Sequence, residues 1–226
     1  QLGQSPESEH NIGSLGAENG LSLELPSKER LFSKLNLQNK PYFMVAFHPE
    51  TITEQSVEEQ VDQLLLALDS FKSDYQFVFI GSNSDTHSDV IFTKVKSYTD
   101  ENRFAFFTSV KPEEYLALIK YSKGLIGNSS SGLLEAPSLQ VGTVNIGKRQ
   151  EGRVRGESVI DVESNRQSIE QGIQYLLSDD FQKRLPTMVN PYYQGNSAEK
   201  AYEIIKQFLA DENRYKPKRF YDLENQ

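Results

Sequence analysis

Residues 42–47 read YFMVAF and residues 75–80 read YQFVFI, and these two apolar runs decide the fold class. Each is short and rich in aromatic and branched side chains, which is typical of a strand buried on both faces of a sheet. Between them, apolar residues recur at the spacing of one helical face: Val57, Val61, Leu64, Leu65, Leu68 and Phe71. The order strand, helix, strand predicts a βαβ unit with parallel strands.

The same alternation continues toward the carboxyl terminus. It predicts helices near 89–98, 112–121 and 131–138, and strands at 103–107, 124–126, 143–146 and, at the sheet edge, 157–160. Crossover connections of this kind are right-handed in nearly all proteins and place helices on both faces of the sheet. We therefore expect an α/β fold, a Rossmann-like parallel sheet covered by helices on both faces.

Three segments are distinguished by composition. Residues 1–26 are rich in Ser, Glu, Gly and Asn and lack a sustained period of 2 or 3.6, which predicts a linker. Residues 27–211 form the predicted domain, and 212–226 are a charged, aromatic tail. Because the chain begins without Met in a polar stretch, we expect it to be a piece of a longer protein.

Composition excludes several classes of function. The absence of Cys excludes disulfides and thiolate chemistry and favours the cytoplasm. With 24 Lys and Arg against 32 Asp and Glu, the net charge of -8 argues against an extended nucleic-acid-binding face. No apolar run approaches the roughly 18 to 20 residues that span a bilayer.

The most informative stretch is GNSSSGLLEAP at 127–137, directly after a predicted strand. Ser129 or Ser130 is suited to cap the following helix and to leave the backbone N–H groups of residues 130–132 directed at the strand's carboxyl end. Such an end can bind a diphosphate, although the serines could simply form a capped turn. Glu135 could accept hydrogen bonds from ribose hydroxyls or merely complement the helix dipole.

Two further features fall at the same edge of the predicted sheet. His48 ends the first strand, and ligands of open α/β sheets bind beyond the carboxyl ends of their strands. His48 is therefore predicted to face the same crevice as the serine turn. Asn83, in the GSNSD that follows the second strand, belongs to this edge too, although GSNSD is also ordinary turn composition.

A basic loop follows the predicted strand at 143–146. Residues 147–157 read GKRQEGRVRGE and contain three Arg and one Lys in an otherwise acidic protein. Because Arg pairs with phosphate and carboxylate through two parallel hydrogen bonds, this loop is a phosphate clamp, a site for acidic groups of a partner, or a solvated charge run.

HPET at 48–51, GSNSD at 81–85, IGNSSSGLLEAP at 126–137 and NIGKRQEGR at 145–153 occur in this order. The combination resembles the hydrolysing UDP-N-acetylglucosamine 2-epimerases, particularly the sialic-acid branch, over residues 10–209. The resemblance implies the carboxy-terminal half of a glycosyltransferase-B-type enzyme with two Rossmann-like domains and the substrate in the cleft between them. NIGSLGAEN at 11–19 looks like the family's crossover segment.

The resemblance also implies roles for individual residues in nucleotide binding. Ser129 and Ser130 would bind phosphate, and Glu135 would bind the ribose. Asn83 and the backbone near Val110 would hold the side of the nucleobase.

For catalysis, the resemblance implies that His48 lies beside the diphosphate and assists its departure, and that Arg149 reaches into the cleft. The implied reaction is anti elimination of UDP to a glycal, followed by syn addition of water to give N-acetylmannosamine. It requires no nicotinamide or flavin cofactor and no metal. The implied partners are UDP or UDP-N-acetylglucosamine, the missing amino-terminal domain, and a second copy in a homodimer or larger assembly, with no nucleic acid and no membrane.

Two other functions stay open at this point. The donor-binding domain of a UDP-sugar glycosyltransferase would share the serine turn and the ribose-binding Glu, although KRQEGR after NIG favours the epimerase. A nucleotide-sugar sensor would bind without reacting. A dinucleotide-dependent dehydrogenase or a P-loop enzyme is disfavoured, because neither GxGxxG after the first strand nor GxxxxGK followed by Ser or Thr is present.

Overall fold

A computed structural model describes residues 6–50, 53–81, 88–102 and 104–211. The six strands are β1 Tyr42–Ala46, β2 Gln76–Ile80, β3 Ala105–Phe107, β4 Leu125–Gly127, β5 Thr143–Ile146 and β6 Val159–Val162. They form one parallel sheet with the order β3-β2-β1-β4-β5-β6. The predicted Rossmann-like architecture is confirmed.

The described part of the chain contains nine α-helices: α1 Leu15–Ser22, α2 Lys28–Leu35, α3 Val57–Asp69, α4 Ser88–Asn102, α5 Pro112–Lys120, α6 Ser131–Leu134, α7 Arg166–Leu177, α8 Asp179–Arg184 and α9 Ser197–Ala210. Short 3-10 helices occupy Pro6–Ser8, Ala136–Leu139 and Leu185–Thr187. Within this part, no helix is long and apolar enough to cross a membrane.

The sheet separates two hydrophobic cores, as the doubly buried strands predict. Alternate residues of β1 point to opposite faces, so that Phe43 and Val45 join one core and Tyr42 and Met44 join the other. The first core is closed by α3, α4 and α7, and the second by α2, α5 and the 3-10 helix Ala136–Leu139. Both faces of the sheet are therefore covered by apolar side chains.

Local sequence signals account for the positions of several helix starts. The hydroxyl of Ser56 accepts the N–H of Glu59 at 3.2 Å, and the Glu59 carboxylate accepts the N–H of Ser56 at 3.0 Å. This reciprocal pair fixes the start of α3. Ser27 and Asn165 cap α2 and α7 in the same way with one side-chain bond each.

The structure corrects three sequence-based boundaries. The helix predicted at 131–138 is the single turn of α6 followed by a 3-10 helix, because Pro137 lacks the N–H that would continue the α-helix. The edge strand predicted at 157–160 is β6, two residues later. The segment 1–26, predicted as a linker, contains α1, whose helical period is hidden by Gly16 and Gly20.

Candidate functional site

The candidate site lies at the carboxyl ends of β1 and β4, where the strand order reverses. From β1 the chain continues to β2 and β3 on one side, and from β4 it continues to β5 and β6 on the other. Ligands of open α/β sheets bind in the crevice outside such a reversal. His48 follows the end of β1 by two residues and Asn128 follows β4 directly. Both residues therefore lie at this crevice.

Gly127 allows the ends of these two strands to come unusually close. Its φ is 137°, and a Cβ at this position would lie 2.0 Å from the carbonyl oxygen of Ala46. A residue with a side chain could not be accommodated without moving the backbone. The glycine therefore sets the distance between the His48 strand and the turn that follows β4.

Asn128 joins the two strand ends through its side chain. This residue is fully buried, its Oδ1 accepts the N–H of His48 at 2.7 Å, and its Nδ2 donates to the carbonyl oxygen of His48 at 2.9 Å. Asn128 is not among the residues predicted from the sequence. Its position between a predicted strand and the serine turn was the available signal.

The serine turn has a different geometry from the predicted capped helix. Ser130 occupies the N-cap position without a side-chain capping bond, and the N–H of Gly132 already donates to the carbonyl of Ser129 at 3.1 Å. The N–H of Ser131 points at the hydroxyl of Ser129 at 3.4 Å. Two of the three N–H groups that were predicted to be directed at the strand's carboxyl end, those of Ser131 and Gly132, therefore have partners within the turn.

The basic loop after β5 reaches the same strand ends. The Arg149 guanidinium donates through Nη1 to the carbonyl oxygen of Asn128 at 3.1 Å, and Gln150 donates through Nε2 to the same oxygen at 2.7 Å. The N–H of Arg149 donates to Oε1 of Glu50 at 2.9 Å. Arg149 is exposed as a residue, and its guanidinium carries more N–H donors than the one bonded to Asn128.

Four predicted site residues are thus gathered around Asn128. We call His48, Asn128, Ser129, Ser130 and Arg149 the strand-end cluster. Arg149 supplies a positive charge, the serines supply hydroxyls, and His48 supplies an imidazole, which together suit an anionic group such as a diphosphate.

The remaining described site residues lie around one cavity of about 320 Å³. We call it the α1–α5 cavity, after the helices that supply most of its wall. Val110 and Glu135, predicted separately, both line it. Its other lining residues are Gly16, Asn19, Leu23, Pro112, Tyr115 and Leu116.

Glu135 lines this cavity, and its carboxylate can accept a further hydrogen bond. Its Oε2 is buried and has no hydrogen-bond partner among the described residues. Burial raises the pKa of the Glu135 carboxyl, and a hydrogen bond with Ser131 opposes this shift. A Cβ on Gly16 would lie 2.2 Å from Oε1, so α1 packs directly against the carboxylate.

Tyr115 connects the cavity to the strand-end cluster and was not predicted. Its hydroxyl donates to Oγ of Ser131 at 2.9 Å, while its ring lines the α1–α5 cavity. Burial raises the pKa of this phenol, which keeps it protonated and able to donate. An aromatic residue in the first turn of α5, after Pro112, was the sequence signal.

Asn83, predicted to hold the nucleobase side, lies outside the described residues. A larger cavity of about 540 Å³ lies between β6 and α7 and includes Gly147 and Lys148 in its wall, but not Val110 or Glu135. Its charged lining includes Arg155 and Asp161, which form an ion pair at 2.7 Å. Of these two cavities, we include the α1–α5 cavity in the candidate site, because it holds an acceptor without a partner among the described residues.

Residues 1–206 match the family described as UDP-N-acetylglucosamine 2-epimerase. The chain is 52% identical to the "Polysialic acid biosynthesis protein P7" of Escherichia coli over 224 residues, which are 99% of this chain and 57% of that protein. It is 32% identical to a hydrolysing GDP/UDP-N,N'-diacetylbacillosamine 2-epimerase of Campylobacter jejuni over 186 residues, covering 81% of this chain and 48% of the relative. The chain thus spans about half the length of these curated relatives.

Solved structures show the same fold. The UDP co-structure of Staphylococcus aureus MnaA matches with a TM-score of 0.66 and 19% identity, over 97% of this chain and 58% of that one. The UDP-GlcNAc 2-epimerase of Methanocaldococcus jannaschii, in complex with UDP-GlcNAc and UDP, matches with a TM-score of 0.64 and 15% identity, over 91% and 56%.

Proposed function

Because the chain belongs to the UDP-N-acetylglucosamine 2-epimerase family, we propose that it is the UDP-binding half of a hydrolysing member that releases UDP and N-acetylmannosamine. The other half would be a second Rossmann-like domain that closes the cleft. The observation that carries the proposal is that Val110 and Glu135 share one cavity. Tyr115 links that cavity to the serine turn through Ser131.

The proposed placement of UDP follows from the chemistry of the two regions. The nucleoside enters the α1–α5 cavity, where the buried oxygen of Glu135 accepts a ribose hydroxyl. The diphosphate lies on the strand-end cluster, where Ser129 and Ser130 donate hydroxyl hydrogen bonds and Arg149 supplies positive charge. A buried acceptor without a partner costs about 1 to 3 kcal/mol, so a ligand that satisfies it recovers part of that cost.

The proposed reaction begins with removal of the proton on the sugar's C2 by a base. The C1–O bond to UDP breaks as the C1–C2 double bond of a glycal forms. Water then adds, with its oxygen bonding to C1 and a proton to C2, and yields the 2-epimer. His48 and Arg149 act on the leaving diphosphate, whose negative charge grows in the transition state. We place the C2 base on the second domain.

The names of the relatives support a choice of sugar. The E. coli relative is named for polysialic acid biosynthesis, which fits N-acetylmannosamine as the product. A glycosyltransferase domain would share the fold, since an E. coli ADP-heptose heptosyltransferase matches with a TM-score of 0.51. Membership of the epimerase family favours the hydrolysing reaction over sugar transfer. A cytoplasmic location and a homodimer in the intact enzyme remain predictions.

The complete protein, incubated with UDP-N-acetylglucosamine, tests this function. We expect proton NMR to show UDP and N-acetylmannosamine appearing in equal amounts, with one deuterium at C2 when the reaction runs in heavy water. Interconversion of UDP-sugars without UDP release would place the enzyme among non-hydrolysing epimerases. Absence of any reaction would contradict the proposed activity.

A further inference from the structure

Three loops of the site meet on a single buried residue. The side chain of Asn128 pairs with both backbone groups of His48, and its own carbonyl oxygen accepts from Arg149 and Gln150. The serine turn begins at the next residue. Asn128 therefore touches the loop after β1, begins the loop after β4, and binds the loop after β5.

The side-chain contacts of Asn128 replace a step of the sheet ladder. The last backbone pair between β1 and β4 is Ala46 with Gly127. One step further, the Asn128 amide offers one acceptor and one donor to His48 in place of the backbone. Asn has the length and the paired donor and acceptor for this task, whereas Ala offers neither group.

A second buried contact holds the opposite side of the His48 loop. The side chain of Gln60 accepts the N–H of Glu50 at 3.2 Å and donates to the Glu50 carbonyl at 3.1 Å. The Glu50 carboxylate in turn accepts the N–H of Arg149. The His48 and Arg149 loops are thus held to each other by two sets of hydrogen bonds, one through Asn128 and one through Glu50.

We propose that Asn128 is a positioning residue that sets His48 and Arg149 at the leaving diphosphate. This inference rests on the proposed function and deepens it. Asn128 contributes through its neighbours and makes no contact with the reacting atoms. Since a displacement of about 1 Å can lower a rate about 100-fold, its loss affects turnover far more than substrate binding.

The test compares Asn128→Ala with Gln76→Ala in the complete enzyme. Gln76 is a matched control because it is also a buried amide, 4% exposed, that donates to two backbone carbonyls, those of Gln38 and Lys40. It lies at the amino end of β2, whereas the strand-end cluster lies at the carboxyl ends of the strands. Both variants lose buried hydrogen bonds, so both are expected to melt at lower temperature.

The kinetic outcomes distinguish positioning from stability. We expect Asn128→Ala to lower kcat for UDP release about 30- to 100-fold with KM changed by less than about threefold. Gln76→Ala is expected to keep kcat within about twofold. A folded Asn128→Ala enzyme with kcat within about threefold of the unaltered enzyme, or an equal drop in Gln76→Ala, would overturn the inference.

Asn128→Ser covers the case in which Asn128→Ala does not fold. Its hydroxyl can satisfy one of the two His48 backbone groups, so kcat is expected to fall about fivefold, and an unchanged kcat would overturn the inference. If the unaltered enzyme itself releases no UDP, the proposed function fails first. Normal release by the unaltered enzyme and by both Asn128 variants would reject the positioning role alone.

Discussion

At the strand-end cluster, buried hydrogen bonds tie three loops together, whereas in the α1–α5 cavity a carboxylate oxygen is buried without a partner. The amide of Asn128 uses both its donor and its acceptor on His48. Glu135 instead leaves Oε2 unpartnered among the described residues and has a raised pKa. The difference indicates that the strand-end cluster is ordered by its own hydrogen bonds, whereas we propose that the nucleoside supplies the partner that Glu135 lacks.

Preorganisation of this kind suits the two parts of the proposed ligand. Charge develops on the diphosphate during the reaction, so groups that stabilise it are most effective when they are fixed beforehand. The nucleoside does not change during the reaction and contributes binding energy alone. Variants at the two regions should therefore differ in whether they change turnover or affinity.

The largest effect is expected from His48→Ala in the complete enzyme. Turnover should fall about 100-fold or more, while KM for UDP-N-acetylglucosamine changes by less than about tenfold, because the diphosphate gains charge only as its bond to the sugar breaks. Steady-state kinetics of UDP release measures both quantities. A raised KM with an unchanged kcat would show that His48 binds the ground state and would remove the contrast between the regions.

Glu135→Gln should lower the affinity for UDP more than turnover, the reverse of His48→Ala. Loss of a charge-assisted hydrogen bond to the ribose is expected to weaken UDP binding by about 1.5 to 2 kcal/mol, or about 10- to 30-fold, with kcat nearly unchanged. Thermal stability at pH 7.5 should not fall, since the neutral amide avoids burying a charge. Glu113→Gln on α5 serves as the control. A destabilised Glu135→Gln protein with normal affinity would make Glu135 a structural residue.

Ser130→Ala tests the strand-end cluster through a smaller expected loss of UDP affinity. Loss of the Ser130 hydroxyl should weaken UDP binding by about 1 to 1.5 kcal/mol. Because Ser130 makes no capping bond, the stability of the protein should stay unchanged. Ser56→Ala is the matched comparison, since Ser56 caps α3 and should lose about 1 kcal/mol of stability with normal UDP affinity. If Ser130→Ala behaves like Ser56→Ala, the serine turn is structural.

The smallest expected effect is a pH dependence of uridine binding. In the proposed placement the ribose needs the ionised Glu135, and the raised pKa means that protonation begins at a higher pH than in an exposed glutamate. Lowering the pH from 7.5 into the acidic range should therefore weaken uridine binding, with no such change in Glu135→Gln. Uridine is used because it carries no titrating phosphate, and NMR titrations at each pH supply the affinities.

The same carboxyl links pH to stability with a definite sign. A carboxyl whose folded-state pKa exceeds its unfolded value binds more protons when folded. Its contribution to stability is therefore most favourable below the unfolded pKa and declines as the pH rises through the folded one. Unfolding curves of the chain and of Glu135→Gln should converge at low pH and separate above that window.

The strand-end cluster could be predicted from sequence further than the α1–α5 cavity could. His48, Ser129 and Arg149 each follow a strand whose apolar run is visible, and parallel strands bring their carboxyl ends together. The cavity depends on how α1 packs against Glu135, and no local pattern encodes that contact. Two glycines lower the helical propensity of α1, yet Gly16 is what lets the helix approach the carboxylate.

Two further residues of the site could not be predicted from the sequence, for a related reason. Asn128, through two side-chain hydrogen bonds, and Tyr115, through one, join segments that are distant in sequence, and turn composition does not indicate these partners. The serine turn differs from the prediction for a local reason, since the N–H groups of Ser131 and Gly132 both donate to Ser129 within the turn. Pro137 separately ends the α-helix after one turn.

The most direct test of a divided site is a comparison of uridine and UDP titrations of the 226-residue chain by NMR. Half a cleft should bind UDP at roughly 0.1 to 1 mM, or about 4 to 5.5 kcal/mol. We expect uridine to shift the amide signals of Val110, Tyr115 and Glu135, and UDP to shift these together with Ser129, Ser130 and Arg149. No shifts at millimolar UDP, or shifts confined to the cavity between β6 and α7, would contradict the account.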